Sequence, residues 1–407
     1  MPFFEPQFAA RTAHVNPSVI REILKVVAQP DIISFAGGMP AQDLFPYEEL
    51  QAAANEAFSS RDLALKALQY GPSEGYTPLR QLIAEELTRE GIDLEGNQIL
   101  ITTGSQQAID MYAKIFLDPG DEVLVANPSF LGALQSFASY EAKFSTVPMD
   151  EEGIKIEPLT RALERRKPKF IYVNPTFQNP TGISMSEARK AELYAVARLH
   201  GVPILEDDPY GELYFGEQRP TTLKSIDHDC GVTLLRTYSK VLAPGLRVGY
   251  AVVPTEVMTR MLPIKQSHDL HTSAFNQVMI HAYTRSAAYG PHLVRLRVEY
   301  AKRRDLMLDA LKRHFPDYCS WTKPEGGLFI WVTLPAGMAA APLLEDAVAN
   351  QKVAFIPGQA FYATGGGENT FRLNFSNASA DQIEEGIKRL GALLRAALPA
   401  AEPSSVG

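Results

Sequence analysis

Between about Asn97 and Val253 the chain repeats one pattern: a short, nearly all-apolar run followed by an amphipathic stretch. The runs are Ile99-Leu100-Ile101-Thr102, Glu122-Val123-Leu124-Val125, Phe170-Ile171-Tyr172-Val173, Val202-Pro203-Ile204-Leu205 and Val232-Thr233-Leu234-Leu235. Strand-length runs that are apolar on both parities suit a sheet covered on both faces. Their alternation with helical stretches predicts an α/β fold around a mostly parallel sheet. One such helix should open on a capping box, Ser184 with Glu187, and close at Gly201.

The order changes after about Gly290. A long charged helix leads to three short strands around Phe329, Val353 and Phe371, and a last helix starts at Ser379, with Gln382 completing a second capping box. Ile383, Ile387, Leu390 and Leu394 recur at helical spacing and should face a core. This third of the chain reads as a smaller α+β domain. Residues 1–15 have no period and read as an arm, and the Ala-, Pro- and Ser-rich stretch 399–407 reads as a disordered tail.

Composition narrows the function. In 407 residues, Lys and Arg total 39 against 47 Asp and Glu, a net charge of −8. That balance argues against general binding to nucleic acid or anionic membranes, while leaving room for a local basic pocket. Cys230 and Cys319 form no ligand pattern, so no structural zinc is expected. The start, Met1-Pro2-Phe3-Phe4-Glu5, lacks the basic and apolar regions of a signal peptide, and no apolar run is long enough to span a bilayer. The expectation is a soluble, cytoplasmic enzyme.

The chemistry gathers at strand ends, where open α/β sheets bind ligands. After the first run, Thr103-Gly104-Ser105-Gln106-Gln107 is a Gly turn feeding a helix over 108–117, which offers free N–H groups and a favourable dipole to an anion. After the third, Asn174-Pro175-Thr176-Phe177-Gln178-Asn179-Pro180-Thr181-Gly182 is a stiff turn holding Asn179. The fourth enters Glu206-Asp207-Asp208-Pro209-Tyr210; adjacent carboxylates there either face solvent or meet a cation. The fifth is followed by Thr237-Tyr238-Ser239-Lys240-Val241-Leu242-Ala243-Pro244-Gly245-Leu246-Arg247. Lys240, near a second cation, could have the lowered pKa of a Schiff-base-forming amine, and Thr237, Ser239 and Arg247 could hold a phosphate dianion. Each motif alone also reads as an ordinary turn, cap or solvated charge.

Taken in order, Gly104-Ser105-Gln106, Asn179-Pro180-Thr181-Gly182, Asp207-Asp208-Pro209-Tyr210, Ser239-Lys240 through Arg247, and Phe371-Arg372-Leu373-Asn374-Phe375 resemble the pyridoxal 5'-phosphate (PLP) enzymes of fold type I, specifically the class I/II aminotransferases. The resemblance runs from Asn16 to Leu394. It implies a seven-stranded-type, mostly parallel sheet sandwiched by helices, plus the smaller α+β domain. The implied divisions are an arm (1–15), a segment that joins the small domain and covers the active site (16–45), a large PLP-binding domain (46–288), the small domain (289–398) and the tail.

The resemblance also implies roles. Lys240 would bond to the cofactor aldehyde and then serve as acid and base. Asp207 would pair with the ring nitrogen, Tyr210 and Asn179 would hydrogen-bond the ring oxygen, and Ser105, Gln106, Thr237, Ser239 and Arg247 would cradle the phosphate. Arg372 would fork onto the substrate α-carboxylate, with Asn179 beside it. Phe130 would stack on the ring where close relatives carry Tyr, and Tyr70 would reach a neighbouring subunit's phosphate, making the protein a homodimer with shared sites. The motifs Asn16-Pro17-Ser18-Val19-Ile20-Arg21 and Ser34-Phe35-Ala36-Gly37-Gly38-Met39-Pro40 are similar to the 2-aminoadipate and kynurenine aminotransferase branch, also called LysN-like or multi-substrate. There Arg21 would receive a distal carboxylate or swing away for an apolar side chain, and Gly38 would let the chain pass close to the substrate.

The implied activity is amino transfer from an L-amino acid (2-aminoadipate, aromatic, kynurenine, branched-chain or methionine-like) to a 2-oxo acid, 2-oxoglutarate by resemblance. Another PLP reaction on the same scaffold, such as β-elimination, stays open. MocR-type transcription regulators carry this domain behind a winged helix-turn-helix, and too few residues precede Asn16 here to form one.

Overall fold

The computed structural model describes residues 7–14 and 31–397. Its centre is an eight-stranded sheet in the order Asn97–Thr102, Gly249–Pro254, Val232–Thr237, Ile204–Asp207, Phe170–Val173, Glu122–Asn127, Lys143–Asp150 and Gly153–Ile154. The five strands from Val232–Thr237 to Lys143–Asp150 pair in parallel. Gly249–Pro254 runs against both its neighbours, and the two-residue Gly153–Ile154 folds back on the far edge. The sheet is therefore mixed, with one short strand beyond the seven expected.

Four of the five apolar runs lie within strands, and the fourth is displaced. Gly201 closes the preceding helix at φ 63, Val202 and Pro203 turn, and the strand then takes in Glu206 and Asp207. Those acids tolerate burial for different reasons. The Glu206 carboxylate accepts the N–H groups of Leu223 and Lys224 at 2.9 Å each, whereas Asp207 faces a cavity. The helix ending at Gly201 starts at Glu187, but its cap is Ser186, which accepts from the Arg189 N–H. Ser184 instead accepts from the Phe177 N–H and pins the turn of the Asn-Pro motif, so the expected Ser184–Glu187 box does not form.

The second capping box does form: the Ser379 N–H donates to Gln382 Oε1 at 3.0 Å, and the Gln382 N–H donates to Ser379 Oγ at 3.2 Å. It opens the Ala380–Ala397 helix, whose Ile383, Ile387, Leu390 and Leu394 are all buried. Each such side chain contributes about 1.5–3 kcal/mol by leaving water. This helix packs on the 26-residue Tyr289–His314 helix and beside a four-stranded antiparallel sheet, ordered Ser320–Trp321, Phe329–Thr333, Thr370–Asn374 and Ile356–Pro357. Val353–Ala354 stays out of that sheet. It pairs in parallel with Ile33–Ser34, so residues from near both ends of the described chain meet. The pairing brings residues 36–38 to the edge of the cavity described next.

Among the described residues no helix is long and apolar enough to cross a membrane, and no cluster of His, Cys, Asp and Glu could hold a metal ion.

Candidate active site

A cavity of about 280 Å3 opens at the carboxyl ends of the strands. Every strand end entering it carries one of the motifs: Ser105 and Gln106 after Asn97–Thr102, Phe130 after Glu122–Asn127, Asn179 after Phe170–Val173, Asp207 and Tyr210 from Ile204–Asp207, and Thr237, Ser239, Lys240 and Arg247 after Val232–Thr237. Gly38 and Arg372 close it from the other side.

One end of the cavity is built for an anion. Gly104, at φ +76, precedes the Ser105–Phe116 helix, and no side chain caps that helix, so its first N–H groups remain available. Gly249 in the neighbouring strand lets this turn approach: a Cβ there would stand 2.6 Å from the Arg236 carbonyl oxygen and 3.0 Å from the Ser105 nitrogen. Arg247 lies against Gly104, where a Cβ would stand 2.6 Å from Nη2. Its own hydrogen bonds, to Ser239 Oγ, the Pro244 carbonyl and the Thr103 carbonyl, are long at 3.4, 3.4 and 3.5 Å. Thr237 Oγ1 accepts the Ser239 N–H at 3.2 Å and lies 3.0 Å from Ser239 Oγ, so both hydroxyls are held at one rim. The Gln106 amide turns away, donating to the Gly132 carbonyl and to Ser136 Oγ. Any phosphate contact from Gln106 is therefore left to its backbone N–H. The same carbonyl region packs under Phe130, which starts the Leu131–Ala138 helix with its ring over Gly132.

The middle of the cavity holds the titratable groups. Lys240 Nζ donates to the Gly38 carbonyl at 2.8 Å. Burial, then the nearby cations Arg372 and Arg247, lower its pKa to about 8, with Asp207 opposing. Asp207 is 2% exposed. Its Oδ2 accepts from the Tyr172 hydroxyl at 2.8 Å, while Oδ1 is buried with no partner. Burial pushes this carboxyl up to about 7; the Tyr172 hydrogen bond and Lys240 pull down, and Asp208 pushes further up. A buried carboxylate oxygen without a donor is costly, and a protonated ring nitrogen in the cavity would satisfy it. Burial also raises the Tyr210 phenol well above its usual range, against the pull of Arg372.

At the far end Arg372, on Thr370–Asn374, is 1% exposed. It donates to Asn179 Oδ1 and to the Ala36 carbonyl, both at 2.7 Å, and Nε has no partner. Its guanidinium stands 4.2 Å from the Phe329 ring centroid and 5.1 Å from that of Phe361. Among the described residues it pairs with no carboxylate, and burial lowers its pKa to about 10. A relay fixes Asn179: its N–H donates to Asn174 Oδ1 at 2.7 Å, and Asn174 Nδ2 donates to the Asp207 carbonyl at 2.5 Å. Tyr172 and Asn174 received no role from the sequence. Tyr172 was hidden as an apparently apolar strand residue, although it carries the one hydroxyl in its run.

One expected site residue lies elsewhere, and one falls outside the described residues. Tyr70 is outside the cavity and 77% exposed, with its ring edge-on to His271 at 5.8 Å. Arg21 lies outside the described residues.

Comparison with known proteins agrees with this geometry. The chain matches the family described as aminotransferase class I and II over residues 30–390. It is 42% identical to the 2-aminoadipate transaminase of Thermus thermophilus, over 96% of this chain and 97% of that one. It is 40% identical to aromatic-amino-acid aminotransferase 1 of Thermococcus litoralis, covering 96% and 95%. The crystal structure of Pyrococcus horikoshii kynurenine aminotransferase superposes with a TM-score of 0.93 at 42% identity, covering 97% and 98%. The chain belongs to the class I/II aminotransferases. It has their PLP fold type I, and its cofactor is pyridoxal 5'-phosphate.

Proposed function

We propose that this protein moves the amino group of a 2-aminoadipate-like or aromatic L-amino acid to a 2-oxo acid, 2-oxoglutarate foremost. The observation that carries this reading is one cavity holding a neutralisable amine, Lys240, and, among the described residues, an unpartnered carboxylate oxygen, Asp207 Oδ1, and a buried cation without a counter-anion, Arg372. The donor classes are those named for the Thermus and Thermococcus relatives.

Bound, the cofactor supplies an electron sink for the pair left at the substrate Cα when its proton departs. The chain's own residues do the rest. Asp207 Oδ1 would accept the ring N–H and hold that nitrogen protonated. Tyr210 and Asn179 would hydrogen-bond the ring oxygen, Phe130 would stack on the ring, and the free N–H groups at Ser105 and Gln106, the hydroxyls of Thr237 and Ser239, and Arg247 would hold the phosphate. Arg372 takes the α-carboxylate in a planar fork, exchanging neutral oxygen partners for an anion. That contact orients the Cα–H bond toward Lys240 Nζ, which removes the proton as a neutral amine and returns one as an ammonium. Gly38 leaves room for the substrate, since a Cβ there would already stand 3.2 Å from Phe329 Cζ.

The acceptor class mirrors the donor, because the reverse half-reaction uses the same contacts. A homodimer completes the site: Tyr70, with Tyr47, Phe58, Leu65 and Leu68, is exposed on the Tyr47–Ala57 and Arg61–Leu68 helices and the loop after them. From the sequence motif, Arg21 receives a distal carboxylate, so Arg21→Ala should weaken acidic donors more than leucine-like ones; equal losses would remove Arg21 from selection. A panel of amino donors with 2-oxoglutarate tests the function. New glutamate is the expected product, whereas ammonia with pyruvate from a cysteine conjugate, and no glutamate, would mark an eliminating enzyme.

A further inference from the structure

Asp207 has an acidic neighbour, and the sheet separates the two side chains. Asp207 enters the cavity; Asp208, 3% exposed, turns into an ion cluster behind it. There Asp208 Oδ2 accepts from Arg236 Nε at 3.1 Å and Arg219 Nη2 at 3.4 Å. Arg236 in turn forks onto Glu90, at the end of the Thr77–Arg89 helix, with Nη1 at 3.1 Å and Nη2 at 2.7 Å. Arg219 bonds Glu90 as well, and meets Glu212 at 2.7 Å. Arg297 of the Tyr289–His314 helix closes the cluster on Glu212. Three guanidinium groups thus face three carboxylates, with Glu86 a fourth acid whose pKa burial pushes up to about 7.

Two links run from this cluster into the cofactor cavity. Arg236 precedes Thr237 in the same strand, so the fork that fixes one fixes the backbone of the other. Asp208 Oδ1 accepts the Gly211 N–H at 2.9 Å and closes the 208–211 turn that carries Tyr210. The fit is close enough that a Cβ on Gly211 would stand 2.5 Å from the Asp208 carboxylate. Two consecutive buried carboxylates cannot both stay ionised cheaply unless one is neutralised.

We propose that Asp208 and Arg236, clamped by Glu90, are positioning residues for the cofactor ring: their ion pair shields Asp207 from its neighbour's charge and holds the turn that presents Tyr210. This rests on the reading of Asp207 as the ring-nitrogen partner. The charged and titratable groups that act on Asp207 are Tyr172 from the next strand, Asp208 beside it, Tyr210 from the turn, and Lys240 beyond Val232–Thr237. Of the acids, Asp208 is the one that directly raises the proton affinity of Asp207, and Arg236 is its tightest counter-charge.

The test is titration of the cofactor-free full chain with pyridoxal phosphate, followed by absorbance across pH, for Arg236→Met, Asp208→Asn, the double variant and Asp207→Asn. Arg236→Met should bind about tenfold or more weakly near neutrality, the change that one unit of proton affinity at Asp207 brings. The deficit relative to native should shrink as rising pH ionises Asp207, and the double variant should recover most of it, because no unpaired charge remains. Losses that add in the double variant, or a deficit flat with pH, would overturn the proposal. If Arg236→Met does not fold, Asp208→Asn alone decides: the acid limb of cofactor binding should move to lower pH, and an unmoved limb contradicts it. Native-like binding by Asp207→Asn would sink the ring-nitrogen reading itself. Weak binding by Asp207→Asn beside native behaviour of the other variants would sink the cluster's role alone.

Discussion

Arg236 and Arg372 are both buried arginines near the same cavity, and they are solvated by opposite means. Arg236 meets the carboxylates of Glu90 and Asp208 through all three of its nitrogens, and its pKa is held well above the usual value: burial lowers it, and Tyr250 and the two acids outweigh that. Arg372 has two neutral oxygens, two aromatic faces and an unpartnered Nε, and its pKa falls. One guanidinium is finished by the fold; on the proposed reading the other is finished by a ligand. On that reading, an incompletely satisfied buried charge marks the substrate end of the cavity more directly than its shape does.

The sharpest break of this comparison comes from Lys240, the amine that shares the cavity with Arg372. Lys240→Ala should reduce turnover about a thousandfold or more, since proton transfer at Cα loses its base; steady-state kinetics with saturating cofactor would measure it. Next, the two arginines should respond oppositely in the cofactor-free protein. Arg236→Met should lower stability by about 3–5 kcal/mol, because Asp208 and Glu90 lose a partner. Arg372→Met should be neutral or stabilising, while raising KM for every amino donor by tenfold or more, about the weight of a charge-assisted fork. Chemical denaturation and kinetics on the two variants would measure both, and equal destabilisation would erase the distinction.

Asp207→Asn should also stabilise the cofactor-free chain at alkaline pH. The folded pKa of about 7 lies above the unfolded value, so the acid costs nothing below the unfolded pKa. Its full penalty, about 2–4 kcal/mol, is present above pH 7. Denaturation at acidic and alkaline pH should show a gain for Asp207→Asn only at the latter. The smallest effect is on cofactor capture. Lys240, lowered to about 8, reacts as the neutral amine, so the capture rate should rise with pH and level off above about 8 rather than near the usual lysine value. Stopped-flow absorbance would show where it levels.

The contrast also marks how far the sequence could be read. Lys240, Asp207, Asn179 and Arg247 sit in local motifs at strand ends, and their convergence follows from the parallel middle of the sheet. Arg236 and Glu90 lie 146 positions apart, so nothing local announces their fork. Tyr172 passed for core because its hydroxyl is one polar atom at the end of an apolar ring, and only the neighbouring strand supplies Asp207 to meet it. The strand Gly249–Pro254 begins two residues after Arg247 and is not among the five apolar runs. Ser184 and Ser186 are equally plausible caps by type; the Phe177 N–H, available only in the folded turn, decides between them. The pairing of Ile33–Ser34 with Val353–Ala354 is likewise a long-range choice between short segments.

The most direct test of the account is a single turnover without acceptor. The cofactor-loaded protein is mixed with 2-aminoadipate or an aromatic amino acid, and the released 2-oxo acid is counted per site. The account predicts up to one equivalent released by the native protein, a trace by Lys240→Ala, and slow release by Arg372→Met that more donor partly restores. Full release by Lys240→Ala, or none by the native protein with any amino donor, would contradict it.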